Sequence, residues 1–351
     1  MLFTEPLEKV ITNPPIRDVR ARNAFYPSSA SVRVMDPQTG RPKSIGGCLR
    51  RQYYEITGVN PTNHSDAAGE LKKEMGGVIQ ELMEEKLKAA GLWMASEKSI
   101  WIPKYKISGR LDTWCWDPES MKPGKTKTPI AIEFKSTGRF GEPGLINPSK
   151  GKLMPKEDHV CQVIPYLDFF SQWPEMFHGQ PMRVIIFAIG RDSLNWKEHM
   201  VFLAGKGHYG MDLKDDKRYA VVRNEAGTFQ LKYITVAGVY SRYMQVAEHL
   251  RQGKVPERDY ALQYDNELIL KMAEKEMISK TDRGKVASAV KRDPEGREPW
   301  LKKGDWQCGW CPFKDKCWHG IDHQAKPVIS QDLPQQGKSA PIPITEPKGS
   351  L

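Results

Sequence analysis

Two acidic residues and a lysine near the middle of the chain could bind a divalent cation together. Glu133 and Lys135 are two positions apart in the apolar segment 129–136, so a strand would place both on one face. Asp112 lies 21 positions before Glu133 in a second strand-like segment. If the strands are neighbours, Asp112, Glu133 and the main-chain carbonyl of Phe134 can converge on Mg²⁺ or Mn²⁺. Lys135 would orient a water molecule for attack on a phosphodiester.

The cysteines form a second candidate site. Three of them fall within ten residues, at Cys308, Cys311 and Cys317. In a reducing compartment this spacing indicates metal or cluster ligands rather than disulfides. We take Cys48, at the head of a predicted helix, as the fourth ligand. On the residues alone, four thiolates suit zinc as well as an iron–sulfur cluster.

Two further cysteines and two histidines are the other candidates for the fourth ligand. Cys115 and Cys161 lie in predicted strand and helix segments, so we expect buried, inert thiols there. His319 and His323 follow the cysteines and could substitute for a thiolate, but lone histidines at such positions are more often surface residues.

Hydrophobic periodicity predicts the elements that must position these residues. A helix pattern covers 48–56, 67–90, 156–173, 236–252 and 262–280, and strand patterns cover 99–107, 108–116, 129–136, 182–190, 199–204, 219–222 and 229–235. A hairpin is predicted at 31–43, with its turn at 36–40. This order predicts an α/β fold with a mixed sheet flanked by helices.

Composition limits the class of protein and its location. The chain has 351 residues and a formal net charge of +10, which favours polyanionic partners. No apolar run is long enough to span a membrane, and the N-terminal residues lack a secretory pattern. We therefore expect a cytoplasmic protein that does not enter membranes.

The domain organisation predicted from the sequence has three parts. Residues 1–43 form a leader and hairpin, 44–325 form the main domain, and 326–351 form a disordered tail rich in proline. Within the main domain we expect an insertion at about 192–306 and a cysteine module at 308–317.

Short motifs in this order resemble the RecB-like branch of the PD-(D/E)xK nuclease superfamily. Gly109 to Asp112 matches a GxxD motif, Glu133 to Lys135 matches ExK, and Gln162 with Tyr166 matches QxxxY. The resemblance implies a restriction-endonuclease-like fold in which Asp112 and Glu133 bind the metal and Lys135 assists the attacking water. It also implies that Gln162 and Tyr166 line the site beside the DNA.

The chain departs from this family at one position. RecB-like enzymes usually carry a metal-binding histidine in a Gly-x-x-His setting on the preceding helix, and here Gln80 follows Gly77 at that spacing. We take Gln80 as the replacement ligand. Glu74, Glu81 or Glu84 could also serve from the same helix, although charges on a long helix usually form its solvated face.

The cysteine pattern adds a second resemblance within the superfamily. An isolated N-terminal cysteine with a C-terminal Cys-x2-Cys-x5-Cys is similar to the iron–sulfur staple of AddB-type nucleases and CRISPR-associated adaptation exonucleases. It implies a 4Fe-4S cluster held by Cys48, Cys308, Cys311 and Cys317, with Zn²⁺ as the alternative. The cluster would fix the N-terminal helix against the C-terminal end.

The expected function is a metal-dependent DNA exonuclease that acts on single-stranded ends. Basic groups at Lys122–Lys127 and Lys150–Lys156 flank the proposed metal site in the sequence, and we favour them as phosphate contacts. The alternatives are a DNA-binding or recombination factor without catalysis that carries zinc, and an endonuclease that needs a partner. Partners from recombination, replication or CRISPR adaptation are all compatible with the sequence.

Overall fold

The computed structural model describes residues 24–63, 66–138 and 154–319. Residues 1–23, the tail 326–351, His323, and Lys150 and Lys152 of the second basic group lie outside these ranges. Within them, no helix is both long and apolar enough to cross a bilayer.

A seven-stranded sheet forms the centre of the protein, which is a mixed α/β structure. Its strands are β3 (Trp93–Ile102), β4 (Ile107–Trp116), β5 (Pro129–Thr137), β6 (Val184–Gly190), β7 (Trp196–Ala204), β8 (Tyr219–Asn224) and β9 (Gly227–Thr235), and they lie in this order. All neighbours are antiparallel except β5 and β6. Because parallel neighbours need a crossover, the chain leaves the sheet after β5 and returns at β6.

The helices pack around this sheet. They are α1 (Leu49–Ile56), α2 (Ala67–Ala89), α3 (Glu157–Phe170), α4 (Val236–Gln252), α5 (Asn266–Glu274), α6 (Lys280–Arg292), α7 (Trp306–Gly309) and α8 (Lys314–Trp318). The crossover between β5 and β6 contains α3. A separate hairpin, β1 (Ser31–Met35) with β2 (Pro42–Gly46), confirms the hairpin predicted at 31–43.

The two faces of β5 bury different sets of residues. On one face Ile132 and Phe134 join a hydrophobic cluster with Ile79 of α2. On the other face Ala131 packs in the main core with apolar residues of α3. Strand alternation therefore places Glu133 and Lys135 on the α3 face.

Two sequence predictions about element boundaries were wrong. The predicted strands 99–107 and 108–116 meet between residues 107 and 108, but the turn lies at 103–106, where Lys106 has a φ of 52° and Pro103 begins a short 3-10 helix. Gly109 lies inside β4. The predicted helix 262–280 is divided, because Glu276 has a φ of 54° and Ser279 caps the next helix.

α1, α2 and α3 agree with the predicted segments to within a few residues, and α4 has the predicted bounds, whereas the sequence did not predict α6, α7 or α8 as separate helices. Pro165 lies inside α3, which is continuous from Glu157 to Phe170 despite the amide that proline lacks. The predicted insertion contains β7, β8 and β9, which extend the same sheet.

Candidate catalytic site and cysteine-lined cavity

Asp112 and Glu133 lie where β4 and β5 separate. The ladder between these strands ends at the pair Thr113 and Ile132, so the next residues on each strand are Asp112 and Glu133. The main-chain amide of Phe134 donates a 2.8 Å hydrogen bond to Oδ2 of Asp112. A side-chain acceptor thus replaces the missing ladder bond and holds the aspartate at the fork.

The carbonyl of Phe134 is directed toward the same fork. The N–H and C=O groups of one strand residue point to the same edge of the strand. Because the Phe134 amide faces Asp112, its carbonyl oxygen faces the β4 side as well. Two carboxylates and one main-chain carbonyl therefore surround the fork.

Glu133 is buried, with 3% of its side chain exposed, and its two oxygens differ in their partners. Oε1 accepts hydrogen bonds from Lys135 Nζ at 2.7 Å and from Gln162 Nε2 at 2.5 Å. Oε2 is buried and has no hydrogen-bond partner among the described residues. A buried carboxylate oxygen without a donor is costly, so this atom favours a cation.

The electrostatics at Asp112 also favour a bound cation. Burial raises the pKa of Asp112 from 3.8 to about 7, the nearby Glu133 carboxylate adds to the rise, and Lys135 opposes it. Two carboxylates that share a site repel each other when both are ionised. A divalent cation between them would remove this cost.

Gln162 and Tyr166 project from α3 toward β4 and β5. Their spacing of four residues places both on one side of the helix. While Gln162 contacts Glu133, the Tyr166 hydroxyl donates a 2.7 Å hydrogen bond to the carbonyl oxygen of Arg110. Tyr166 therefore positions the strand that carries Asp112, and burial raises its pKa above the ordinary value.

The glycine of the GxxD motif makes room for this contact. A Cβ atom at Gly109 would lie 2.6 Å from Cγ of Pro27 and 2.9 Å from the hydroxyl oxygen of Tyr166. Both distances are shorter than real Cβ contacts, so any side chain here would displace the tyrosine or the proline.

Gln80 is coupled to a glutamate one helical turn away. Its Nε2 donates to Oε1 of Glu84 at 3.2 Å, and Glu84 also accepts from Thr113 at 2.6 Å and Ser96 at 2.6 Å. Since a carboxylate only accepts, the amide group of Gln80 must face Glu84, which leaves the Gln80 carbonyl oxygen for another partner. Gln80 makes no hydrogen bond with Asp112 or Glu133, both of which are described residues.

Glu84 of α2 accepts hydrogen bonds from both β3 and β4. Burial raises its pKa, but the hydrogen bonds from Ser96, Thr113 and Gln80 outweigh burial and lower it below the ordinary value. Its charge also contributes to the raised pKa of Asp112. Glu74 and Glu81 are exposed. The sequence did not single out Glu84, because its contacts with two strands cannot be read from one helix.

The fork fits a hard divalent cation with few protein ligands. Mg²⁺ commonly uses one or two carboxylates and completes its shell with water and substrate phosphate oxygens. Asp112, Glu133 and the Phe134 carbonyl supply this set. Among the described residues, no three His, Cys, Asp or Glu side chains are arranged to hold a single metal ion.

All four predicted cysteine ligands line one cavity. Its walls include Cys48 at the N-terminus of α1 and Cys308, Cys311 and Cys317 from the α7–α8 segment. The cavity has a volume of about 190 Å³, whereas a water molecule occupies about 30 Å³ in the liquid. The cavity is therefore larger than a single ion requires.

Hydrogen bonds hold the two distant parts of the chain together around this cavity. The amides of Thr62 and Asn63 donate to the carbonyl oxygen of Pro312 at 2.8 and 2.9 Å. The Asn63 side chain donates to Asp315 at 2.8 Å and accepts from its amide at 3.0 Å. The segment after α1 therefore fixes the segment that carries three of the cysteines.

A cluster is compatible with four thiols spread around one cavity, and each thiol must lose its proton to bind it. Each thiolate of a cluster can bind a different iron atom, so the four sulfurs need not surround one point as they do around zinc. Without a metal, burial raises the pKa of Cys48 and Cys311 and raises that of Cys308 to about 12. The Arg50 guanidinium lies 3.8 Å from Sγ of Cys317.

The other candidate ligands lie away from this cavity. Cys115 and Cys161 are buried at 2% and 0% exposure, which confirms the expectation of buried thiols. His319 is exposed and lies 3.7 Å from Asp315.

α3 contributes residues to both the fork and the cavity. Gln162 contacts Glu133 and also lines the cavity, as does His159 one turn earlier. Burial lowers the pKa of His159 to about 4, with partial opposition from Asp158. A neutral imidazole therefore lines the cavity, and no motif in the sequence indicated it.

The basic groups predicted to contact phosphate are only partly described. Lys122 forms an exposed ion pair with Glu119 at 2.6 Å, and Lys125 lies 3.9 Å from the same carboxylate. Lys156 is exposed at the N-terminus of α3.

No model of a known protein family matches the chain, and no curated protein is significantly similar to it.

Proposed function

We propose that this chain is a metal-dependent nuclease that degrades DNA from single-stranded ends, with a RecB-like, restriction-endonuclease-like fold. The juxtaposition of Asp112 and Glu133 at the fork carries the proposal, because the two strands place two carboxylates and the Phe134 carbonyl together. The order of GxxD, ExK and QxxxY along β4, β5 and α3 supports it.

The residues of the fork divide the work of phosphodiester hydrolysis. Asp112, Glu133 and the Phe134 carbonyl would hold Mg²⁺ or Mn²⁺, which supplies charge neutralisation at the phosphate and a more acidic water. Lys135, anchored on Glu133 at 2.7 Å, aligns the water that attacks the phosphorus and offsets the developing negative charge. Gln162 fixes Oε1 of Glu133, so Oε2 is the oxygen left for the cation.

We also propose that Cys48, Cys308, Cys311 and Cys317 hold a 4Fe-4S cluster with a structural role. The shared cavity supports a common bound group, and the resemblance to iron–sulfur nucleases favours a cluster over a single zinc ion. The bound group would join α1 to the α7–α8 segment across 260 positions of the chain.

The nuclease proposal is tested by incubating the purified chain with end-labelled single-stranded and double-stranded DNA. Reactions contain Mg²⁺, Mn²⁺ or EDTA, and Glu133→Gln is compared with Glu198→Gln, which changes an exposed glutamate on β7. We expect metal-dependent release of nucleotides from single-stranded ends by the parent chain and by Glu198→Gln.

Two results would contradict the proposal. One is equal degradation by Glu133→Gln, which would show that the nuclease activity comes from a contaminant or another site. The other is DNA binding without cleavage under every metal condition, which would favour a binding or recombination factor.

A further inference from the structure

Two tryptophans of the cysteine-bearing segment are unusually exposed. The side chains of Trp306 and Trp310 are 60% and 77% exposed, and they flank Cys308 in the sequence. Burying a tryptophan stabilises a protein strongly, so two large exposed aromatic residues that line the same cavity indicate a binding surface. Nothing in the metal chemistry of the cysteines requires them.

Both tryptophans lie at the cavity that the cysteines line. The Lys156 ammonium lies 5.9 Å from the centre of the Trp306 ring. Since Lys156 precedes the first residue of α3, the tryptophan surface continues onto the helix that carries Gln162.

The charge of the cavity wall is predominantly positive. Arg50, Arg51, Arg258 and Lys314 line it, together with one carboxylate, that of Asp158. A groove of positive charge with exposed aromatic rings is the arrangement with which proteins bind single-stranded nucleic acid without sequence preference. The cations contact phosphates, and the rings stack on the bases.

The surface also leads to the candidate catalytic residues. Gln162 lines the cavity and donates to Oε1 of Glu133 at 2.5 Å. One residue of α3 therefore borders both the tryptophan surface and the fork.

We propose that Trp306 and Trp310 form a stacking platform for the unpaired bases of a nucleic-acid strand and guide that strand to Glu133. The platform selects single strands because the bases of a duplex are already stacked and paired. The part of this inference that leads the strand to Glu133 rests on the proposed nuclease function. Binding of the strand at the platform does not require cleavage.

The test measures binding in the full chain carrying Glu133→Ala, in EDTA, so that cleavage does not interfere. The probe is a fluorescent single-stranded oligothymidine, and the readout is anisotropy. We expect Trp306→Ala and Trp310→Ala each to weaken binding by about fivefold to a hundredfold, the range found for loss of one stacked base. Trp306→Phe and Trp310→Phe should retain most of the affinity.

Two controls separate stacking from folding and from charge. Trp101→Ala removes a tryptophan that is 47% exposed on β3 and does not line the cavity, and it should leave binding unchanged. An abasic oligonucleotide keeps the phosphates but offers no bases, so the alanine variants should bind it as tightly as the parent. Thermal unfolding and the cluster absorbance of each variant confirm that the fold is retained.

Several outcomes would overturn the platform. They are unchanged affinity in the double alanine variant, an equal loss of affinity for the abasic strand, or an equal loss for blunt duplex DNA. A single-stranded RNA probe is run in parallel, and tighter binding of RNA than DNA would overturn DNA as the strand that the platform receives.

The failure of this inference is distinguishable from the failure of the nuclease proposal. If the parent chain degrades DNA but the tryptophan variants bind normally, the platform is wrong and the nuclease stands. If tryptophan-dependent binding occurs without any cleavage, the platform stands and the nuclease proposal fails.

Discussion

Nε2 of Gln162 lies 2.5 Å from Oε1 of Glu133, which joins α3 to the strand at the candidate catalytic fork. The same glutamate oxygen accepts from Lys135, so a helix residue and a strand residue fix the carboxylate from two directions. The orientation of Glu133 therefore depends on the packing of α3 as well as on β5.

We expect Gln162→Leu to reduce nuclease activity without unfolding the chain. Loss of a hydrogen bond to a charged group costs about 1.5–3 kcal/mol, which corresponds to roughly a tenfold to hundredfold lower rate at saturating metal. Single-turnover cleavage of labelled DNA measures the effect. Gln172→Leu is the matched control, because among the described residues the side chain of Gln172 bonds just the carbonyl of Phe169, near the end of the same helix. Full activity of Gln162→Leu would contradict the role assigned to this contact.

Asp112 should make the metal-free protein less stable as pH rises. Its folded-state pKa of about 7 lies above the ordinary value of 3.8, so between these values the folded chain holds a proton that the unfolded chain releases. The contribution of this residue to stability therefore falls as pH rises through that window.

We expect Asp112→Asn in EDTA to unfold at a higher temperature than the parent at pH 8, with the difference shrinking toward pH 5. Each kcal/mol corresponds to about 2–4 °C in a domain of this size. Thermal unfolding by circular dichroism at several pH values tests this. Mg²⁺ should stabilise the parent at pH 8 and have little effect on Asp112→Asn. A difference between the two proteins that is constant across pH would refute the assignment.

Gly109→Ala should destabilise the protein by crowding Tyr166. The new Cβ atom would clash with the tyrosine hydroxyl and with Pro27, and overpacking of this kind costs about 1–3 kcal/mol. Gly284→Ala is the control, because Gly284 lies inside α6 with nothing within 4 Å of its added Cβ. Alanine there should stabilise the helix by about 0.5–1 kcal/mol. Urea unfolding measures the change in the free energy of unfolding, which should be negative for Gly109→Ala and positive for Gly284→Ala. Equal changes in the two variants would argue against the close contact at Gly109.

The cluster proposal predicts iron rather than zinc in protein purified without oxygen. We expect a brown protein with absorbance in the visible range and about four iron atoms per chain, the content of a 4Fe-4S cluster. Cys48→Ser should lower the iron content and the unfolding temperature. Cys115→Ala serves as the control, since Cys115 is buried in β4 away from the cavity. A colourless protein that contains zinc and no iron would contradict the cluster proposal.

The sequence was informative where a residue's role follows from its own strand or motif. Alternation along β5 correctly predicted that Glu133 and Lys135 share a face, and the motif order led to Asp112 and Gln162. It was uninformative where the role depends on a distant contact. Glu84 looked like one more charge on a long helix, and only the packing of α2 on Thr113 and Ser96 distinguishes it.

The exposure of the two tryptophans also could not be predicted from the local sequence. Trp306 and Trp310 stand beside cysteines in the sequence, where an aromatic residue is equally consistent with packing against a bound group. Their exposure is a property of how the α7–α8 segment lies on α1 and α3, which local sequence does not determine.

The four proposed cluster ligands come from two distant parts of the chain, and this constrains when the proposed cluster can bind during synthesis. Cys48 leaves the ribosome long before the segment that contains Cys308, Cys311 and Cys317. A nascent chain that has not reached residue 317 therefore lacks a complete thiol set, whatever the state of its sheet. Machinery that donates the proposed cluster must accordingly act after residue 317 has been synthesised, and a product that terminates before Cys308 would contain the fork residues but lack three of the four proposed ligands.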